Sequence, residues 1–318
     1  MAAHPPARSG SNGAKLSSPV VGCLSTREFS TKRLPDMAPF RSDPVRFGED
    51  ERQFVILRAA RLVRRGELNA LELHHIGAEP DPEVTAIIPA RNEAETIAFV
   101  VEECRRYAGQ VIVVEGGSTD GTAEVAEAVG ARVVRDQGIG KGGALRLAVG
   151  HVTTPFCVFI DADGSHDPID IPMLVAPIKA GTADLVIGSR SLGGSDELHG
   201  GADELLRLAG SALITYLINL RYGARSTDTQ NGFRAIRTSV FRKLDLRARH
   251  GNIEMEMVMA TLASGYRIDE VPAHEWPRAA GVSKLSLAKP STWILFGWCL
   301  VVGLCRRRVS QPSERGDR

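Results

Sequence analysis

From residue 84 onward, short apolar runs alternate with stretches of helical period, and this alternation restricts the possible folds more than any other feature. The runs are 84–89 (VTAIIP), 111–114 (VIVV), 132–134 (RVV), 156–160 (FCVFI) and 184–187 (DLVI). Each is too short for a helix, and most are apolar throughout, as strands buried on both faces of a sheet are. Between the first two, Ile97, Val100, Val101 and Cys104 fall at i, i+3, i+4 and i+7, one face of a helix. Residues 122–129 read as a second helix and 143–149 as the start of a third. The order predicts an α/β fold with a mostly parallel central sheet and helices on both faces. Such a sheet binds ligands beyond the C-terminal ends of its strands. The residues that follow each strand are therefore the first place to look for chemistry.

Composition narrows the function classes. The formal net charge of +1 in 318 residues lacks the basic excess of a general nucleic-acid binder. The five cysteines form no C-x-x-C pair and no Cys/His ligand spacing, so neither a disulfide framework nor a zinc site is expected, and reduced thiols in a cytoplasmic setting are. Residues 1–45 are rich in Ser, Pro, Gly and Arg and read as a disordered tail; an organelle transit peptide or a start at Met37 are the other readings of that segment. Residues 46–82 read as a helical extension ending in a loop at 77–82, residues 83–285 as the catalytic domain, and 286–318 as an apolar segment with a basic tail. The apolar stretch 293–305 (WILFGWCLVVGLC) precedes Arg306, Arg307 and Arg308. As a helix it covers roughly 20 Å, short of the ~30 Å hydrocarbon core of a bilayer. Two readings stand: a peripheral membrane contact through 293–308, with tryptophans and arginines at headgroup level, or a terminal helix closing the core.

The central chemical feature is Asp161-Ala162-Asp163 at the end of the run 156–160. Two carboxylates at i and i+2, where a buried strand opens into a loop, can share one hard divalent cation with a diphosphate. That cation stabilises a leaving diphosphate as its charge builds. After the first strand comes Pro89-Ala90-Arg91-Asn92-Glu93, and after the second Glu115-Gly116-Gly117-Ser118-Thr119-Asp120-Gly121. Glu115 can accept from a base N–H or a ribose hydroxyl; Ser118, Thr119 and Asp120 read mainly as caps of the next helix; Glu93 fits either a ligand role or a first-turn acid. Residues 138–143 (GIGKGG) match G-x-G-x-x-G literally, but they belong to the third strand-helix unit, and Lys141 within them suits a diphosphate. Arg190, Arg207, Arg234 and the stretch from Arg278 to Lys284 lie near turn glycines and together suggest an anionic acceptor, since guanidinium matches phosphate bidentately. An alcohol acceptor would require a general base, for which Asp228, Glu254 and Glu256 are candidates.

The strings IIPARNEAETI, VIVVEGGSTDGT, GKGGALRLAV, FIDADGSHDP, VIGSR, TDTQNGFRAI and IEMEMVMATLASGYRIDEVP resemble glycosyltransferase family 2, in its polyprenyl-phosphate (dolichyl-phosphate) mannosyl/glucosyl synthase-like branch. The resemblance implies a GT-A fold and an inverting, Mg²⁺- or Mn²⁺-dependent transfer of a hexose from a nucleotide diphosphate sugar of the GDP-mannose or UDP-glucose type. It implies a polyprenyl phosphate as acceptor, at the cytoplasmic face of a membrane. Pro89, Asn92, Glu93, Glu115, Lys141, Asp161, Ala162, Asp163 and Arg190 would then bind the donor, with Asp161 and Asp163 on the metal. Arg207, Arg234, Arg278 and Lys284 would meet acceptor or phosphate, and Asp228 and Glu256 match acids of the family's catalytic set. Three departures stand out: Glu115-Gly116 replaces a frequent Asp-Asp, Ser165 replaces a frequent glutamine, and the segment 193–199 is atypical of the mannosyl synthases. They leave room for a soluble or glycan acceptor, and for a binding homologue without activity. A sugar-1-phosphate nucleotidyltransferase would carry G-G-x-G-T-R after the first strand, where Pro89 to Glu93 stands here.

Overall fold

The computed structural model describes residues 79–136, 138–195, 202–278 and 290–308, apart from the side chains of 202–207 and 290–292. The expectations for 1–45 and for most of 46–82 fall outside these residues. The strands are β1 (Asp81–Ala90), β2 (Ala108–Glu115), β3 (Arg132–Arg135), β4 (Phe156–Phe159), β5 (Leu185–Ser189), β6 (Arg234–Arg237) and β7 (Ile268–Pro272). The helices are α1 (Ile97–Cys104), α2 (Thr122–Ala128), α3 (Lys141–His151), α4 (Ile171–Lys179), α5 (Arg190–Gly193), α6 (Ala202–Tyr222), α7 (Thr238–Lys243), α8 (Ile253–Ala263) and α9 (Pro290–Leu304).

The sheet runs β3-β2-β1-β4-β6-β5-β7. β1 is parallel to both β2 and β4, whereas β6 lies antiparallel between β4 and β5. The chain winds outward from β1 through β2 to β3 and then returns to the other side of β1 as β4. The gap between the C-terminal ends of β1 and β4 is thus the point where strand order reverses, the place an open α/β sheet leaves for a ligand.

Alternate residues of β1 serve opposite faces, as the period of two requires. Ile87 joins Ile112, Leu145, Phe159 and Phe241 on one side. Ala86 and Ile88 join Ile97, Val101, Leu174 and Ile178 on the other. Burying one such aliphatic side chain stabilises by about 1.5–3 kcal/mol, and truncating Leu174, fully buried, to Ala would cost about 2–5 kcal/mol.

Several boundaries differ from the sequence reading. β1 begins at Asp81, inside the segment read as a loop, because the Asp81 N–H donates to the Tyr107 carbonyl and its carboxylate pairs with Lys179 at 2.6 Å. Asp184 does not start β5; its carboxylate turns to the backbone N–H and guanidinium of Arg267. β6, β7, α4, α6 and α7 have no counterpart among the elements that the sequence pattern predicts. β6 (RAIR) carries an arginine at each end, and β7 alternates at the sheet edge, so neither shows an apolar run.

The C-terminal stretch is the helix α9. Cys299 on one face is buried against the core beside Phe296 and Leu300, while Ile294, Trp298 and Val301 on the other are exposed. The Tyr222 hydroxyl donates to the Gly303 carbonyl at 2.6 Å, and the Arg221 Nε donates to that of Leu304 at 2.8 Å. These bonds from α6 satisfy carbonyls that a helix end leaves open. Among the described residues no helix is long and apolar enough to cross a membrane.

Candidate active site

The loops after β1, β2 and β4 are sewn together before any ligand is considered. The Asn92 N–H donates to Ser118 Oγ, and Asn92 Oδ1 accepts the Thr119 N–H, both at 2.9 Å. Asn92 sits at φ 52°, the one non-glycine residue with positive φ among those described; Asn tolerates this left-handed region better than most residues. The Glu93 N–H donates to Thr122 Oγ1 at 2.9 Å and the Ala94 N–H to Asp120 Oδ2 at 3.0 Å. Thr96 Oγ1 donates to the Ala162 carbonyl at 2.7 Å, which ties this corner to the acidic strand end. The expectation that Ser118, Thr119 and Asp120 chiefly cap α2 needs correction. Asp120 does accept the Thr122 N–H, but Gly121 is the cap residue, and Ser118 and Asp120 serve mainly to hold the β1 loop.

Glu115 closes β2 and is buried, one carboxylate oxygen accepting the Ser118 N–H. Asp136 follows β3 beside it. Burial raises the Asp136 pKa, the Gly138 N–H opposes this, and the Glu115 charge adds to the rise. Pro89, half-buried, lies in register with Val114 at the crevice end of β1.

Asp161 and Asp163 leave β4 toward the crevice, and each meets a cation. Lys141 Nζ is 2.6 Å from Asp161 Oδ1 and 2.8 Å from Glu254 Oε1. Arg278 Nη1 is 2.7 Å from Asp163 Oδ2, while Asp163 Oδ1 accepts from both the N–H and the hydroxyl of Ser165, at 3.1 and 2.7 Å. Burial lifts the Asp161 pKa more than any single neighbour lowers it, but Lys141, His166 and Arg278 together outweigh burial and hold the carboxyl below its ordinary value. The residue that replaces the expected glutamine thus locks one oxygen of Asp163. Among the described residues no group of three or more His, Cys, Asp and Glu is gathered as a metal cage. A Mg²⁺ site made of one or two carboxylates completed by phosphate oxygens does not need one. His166 is buried, stacked on Phe233 at 5.2 Å, and its Nδ1 has no hydrogen-bond partner.

The glycine-rich turn serves packing. A Cβ at Gly140 or Gly142 would strike the backbone of Ala248 and Arg249, and the Gly142 N–H donates to the Arg249 carbonyl at 2.9 Å. This close approach sets Lys141 at the first position of α3, aimed at Asp161.

The remaining predicted residues divide. Arg190 grips Asp228 with Nε at 2.6 Å and Nη2 at 3.0 Å and reaches Glu275 at 3.4 Å. Asp228 also accepts the Gln230 and Asn231 N–H groups; burial favours its neutral form, but Arg190 holds its pKa below the usual carboxylate range. Arg234 departs from the expectation of an acceptor contact. It is 1% exposed, and its guanidinium donates to the carbonyls of Asn231, Glu254 and Thr229. Glu256 also lies apart from Asp161 and Asp163 in its bonding: it accepts the Arg247 and Ala248 N–H groups and pairs with Arg306 at 2.9 Å. The Arg207 side chain and Lys284 lie outside the described residues. Glu254, named only as a possible base, is drawn into the site by Lys141, and its Oε2 has no partner. His166 and Glu275 drew no role from sequence, although the string GSHDP placed His166 three residues beyond the second aspartate.

Comparison with known proteins agrees with this architecture. Solved glucosyl-3-phosphoglycerate synthase from Mycobacterium tuberculosis, in complex with Mn²⁺, uridine diphosphate and glucosyl-3-phosphoglycerate, superposes with a TM-score of 0.57 at 23% identity, over 72% of this chain and 82% of that one. The fold is therefore GT-A. Glycosyltransferase AglJ of Haloferax volcanii is 35% identical over 205 residues, 64% of this chain and 66% of that relative's own length. Undecaprenyl-phosphate mannosyltransferase of Micrococcus luteus is 32% identical over 224 residues, 64% of this chain and 87% of its own. Residues 85–245, half of the chain, match the profile described as glycosyl transferase family 2, and the chain belongs to that family.

Proposed function

We propose that this protein is an inverting, divalent-metal-dependent hexosyltransferase that moves a sugar from a nucleoside diphosphate to the phosphate of a polyprenyl lipid. The observation that carries the reading is the placement of Asp161 and Asp163 at the strand-order reversal, each already facing a cation. Asp161 and Asp163 would hold Mg²⁺ or Mn²⁺ together with phosphate oxygens, with Arg278 the partner that turns from Asp163 to a phosphate. The metal would supply charge neutralisation for the leaving diphosphate. The nucleoside lies across the ends of β1 and β2, with Glu115 as acceptor for base or ribose and the Asn92–Ser118 clamp fixing the loop it rests on. Lys141 keeps Asp161 ionised and stands by the diphosphate. The acceptor oxygen attacks the anomeric carbon from the face opposite the diphosphate; the carbon–oxygen bond to the diphosphate breaks and the configuration inverts. A phosphate acceptor is ionised near neutral pH and needs no base. Asp228, held by Arg190, and Glu256, held by backbone N–H groups, then have positioning roles.

The lipid acceptor is supported by the name of the Micrococcus luteus relative. It is also supported by two helices with exposed apolar faces, α6 with Leu213, Tyr216 and Leu220 and α9 with Ile294, Trp298 and Val301. Aromatic and aliphatic residues flanked by arginines suit the headgroup boundary of a membrane.

The test is a donor screen of purified protein with Mg²⁺ or Mn²⁺ against GDP-mannose, UDP-glucose and UDP-N-acetylglucosamine, with and without a short polyprenyl phosphate. Nucleoside diphosphate released only when the lipid is present is the expected result. Release without lipid would keep the transferase and replace the acceptor by a soluble one. No binding of any donor would defeat the reading.

A further inference from the structure

A cavity of about 820 Å³ lies between the segment 245–252, both ends of α8 and one side of α9. None of Lys141, Asp161, Asp163, Arg190 and Arg278 lines it. Its wall on the α9 side is apolar, formed by Leu295, Trp298 and Val302. Four arginines also line it, Arg247, Arg249, Arg306 and Arg307. Two of the arginines there are neutralised, Arg247 by Asp245 at 2.8 Å and Arg306 by Glu256 at 2.9 Å. Arg249 and Arg307, both exposed, have no acidic partner among the described residues. Asn252 also lines the cavity, with its side-chain oxygen covered from solvent.

We infer that this cavity binds an anionic phospholipid. Arg249 and Arg307 take the phosphate, and the acyl chain lies along Leu295, Trp298 and Val302. A free phosphate would satisfy the arginines but leave the apolar wall wetted. A purely apolar ligand would leave the arginines unmet. The wall continues onto the exposed face of α9 at Ile294, Trp298 and Val301, so the lipid can stay in its bilayer while its headgroup is held. The site is separate from the reaction centre and does not depend on the acceptor being a polyprenyl phosphate.

The test is vesicle co-sedimentation of the full chain. Phosphatidylcholine vesicles are compared with the same vesicles carrying phosphatidylglycerol. Binding is expected to be tighter with phosphatidylglycerol than with phosphatidylcholine alone. Arg249→Glu and Arg307→Glu are each expected to weaken phosphatidylglycerol binding about fivefold or more, with the thermal unfolding transition of the wild type retained. Trp298→Ala, a substitution at an exposed position, provides an independent variant and should also weaken phosphatidylglycerol binding. Equal binding to phosphatidylcholine alone, or unchanged phosphatidylglycerol binding in Arg307→Glu, would overturn the site. None of these readouts uses sugar transfer, so failure of the lipid site and failure of the proposed activity remain distinguishable.

Discussion

Lys141 Nζ lies 2.6 Å from Asp161 Oδ1, so a single ion pair joins the glycine-rich turn to the acidic end of β4. The same ammonium is 2.8 Å from Glu254, whose side chain is only 5% exposed. Lys141→Met would leave two carboxylates facing each other with no cation between them. Removing one member of a buried pair destabilises by about 3–5 kcal/mol; with Lys141 about a quarter exposed, roughly 2–3 kcal/mol is expected after solvent screening. Adding Glu254→Gln should recover part of that loss. Urea denaturation of the two single variants and the double variant measures the coupling, and strictly additive effects would show that the three groups do not act as a unit.

Asp228 provides a pH signature. Burial would raise its pKa, but the bidentate Arg190 and the Gln230 N–H together lower it further than burial lifts it. A carboxyl with a depressed folded-state pKa contributes stability that is complete above its unfolded value of about 3.9 and is lost as pH falls through the folded value. The stability gap between wild type and Asp228→Asn should therefore be constant near neutrality and shrink below about pH 4. A gap that stays level through that acid range would mean that Arg190 does not depress the carboxyl.

The sequence made β1, β2 and β4 legible because strands buried on both faces must be apolar at nearly every position. It also placed Asp161 and Asp163 correctly at a strand end, since a strand that stops at an acid has reached the sheet edge. Arg234 was misread for the converse reason. Its charge suggests a surface ligand, but three backbone carbonyls around it replace water, and no sequence pattern reveals carbonyls arriving from Thr229, Asn231 and Glu254. The loop-to-loop bonds of Asn92, Ser118 and Asp120 were hidden likewise. Capping and clamping use the same residue types, and only the parallel register of β1 and β2 decides between them.

Asp163→Asn should lower kcat by at least about 100-fold, the scale set by removing one preorganised electrostatic group from a transition state. The fold should survive. The amide oxygen can still accept from Ser165, and Arg278, one third exposed, can turn to solvent. Steady-state turnover at saturating metal, with unfolding measured alongside, checks both halves. Turnover near that of the wild type would remove Asp163 from the metal site.

Two glycines give opposite expectations. Gly150 lies within α3, and a Cβ there meets nothing within 4 Å, so Gly150→Ala should stabilise by about 0.5–1 kcal/mol through helix propensity and a less flexible unfolded chain. A Cβ at Gly232 would sit 2.9 Å from both Asp161 Oδ2 and Lys141 Nζ. These are the ends of two partly exposed side chains, which can yield, so the stability cost of Gly232→Ala should stay near 1–2 kcal/mol. They can yield only by leaving the positions proposed to hold the donor. Turnover should therefore fall about tenfold or more, since small displacements of a catalytic group are amplified in rate. Paired measurement of unfolding free energy and kcat separates the two effects. A Gly232→Ala enzyme that loses stability but keeps its full kcat would show that the Lys141–Asp161 pair tolerates displacement and does not set the reaction geometry.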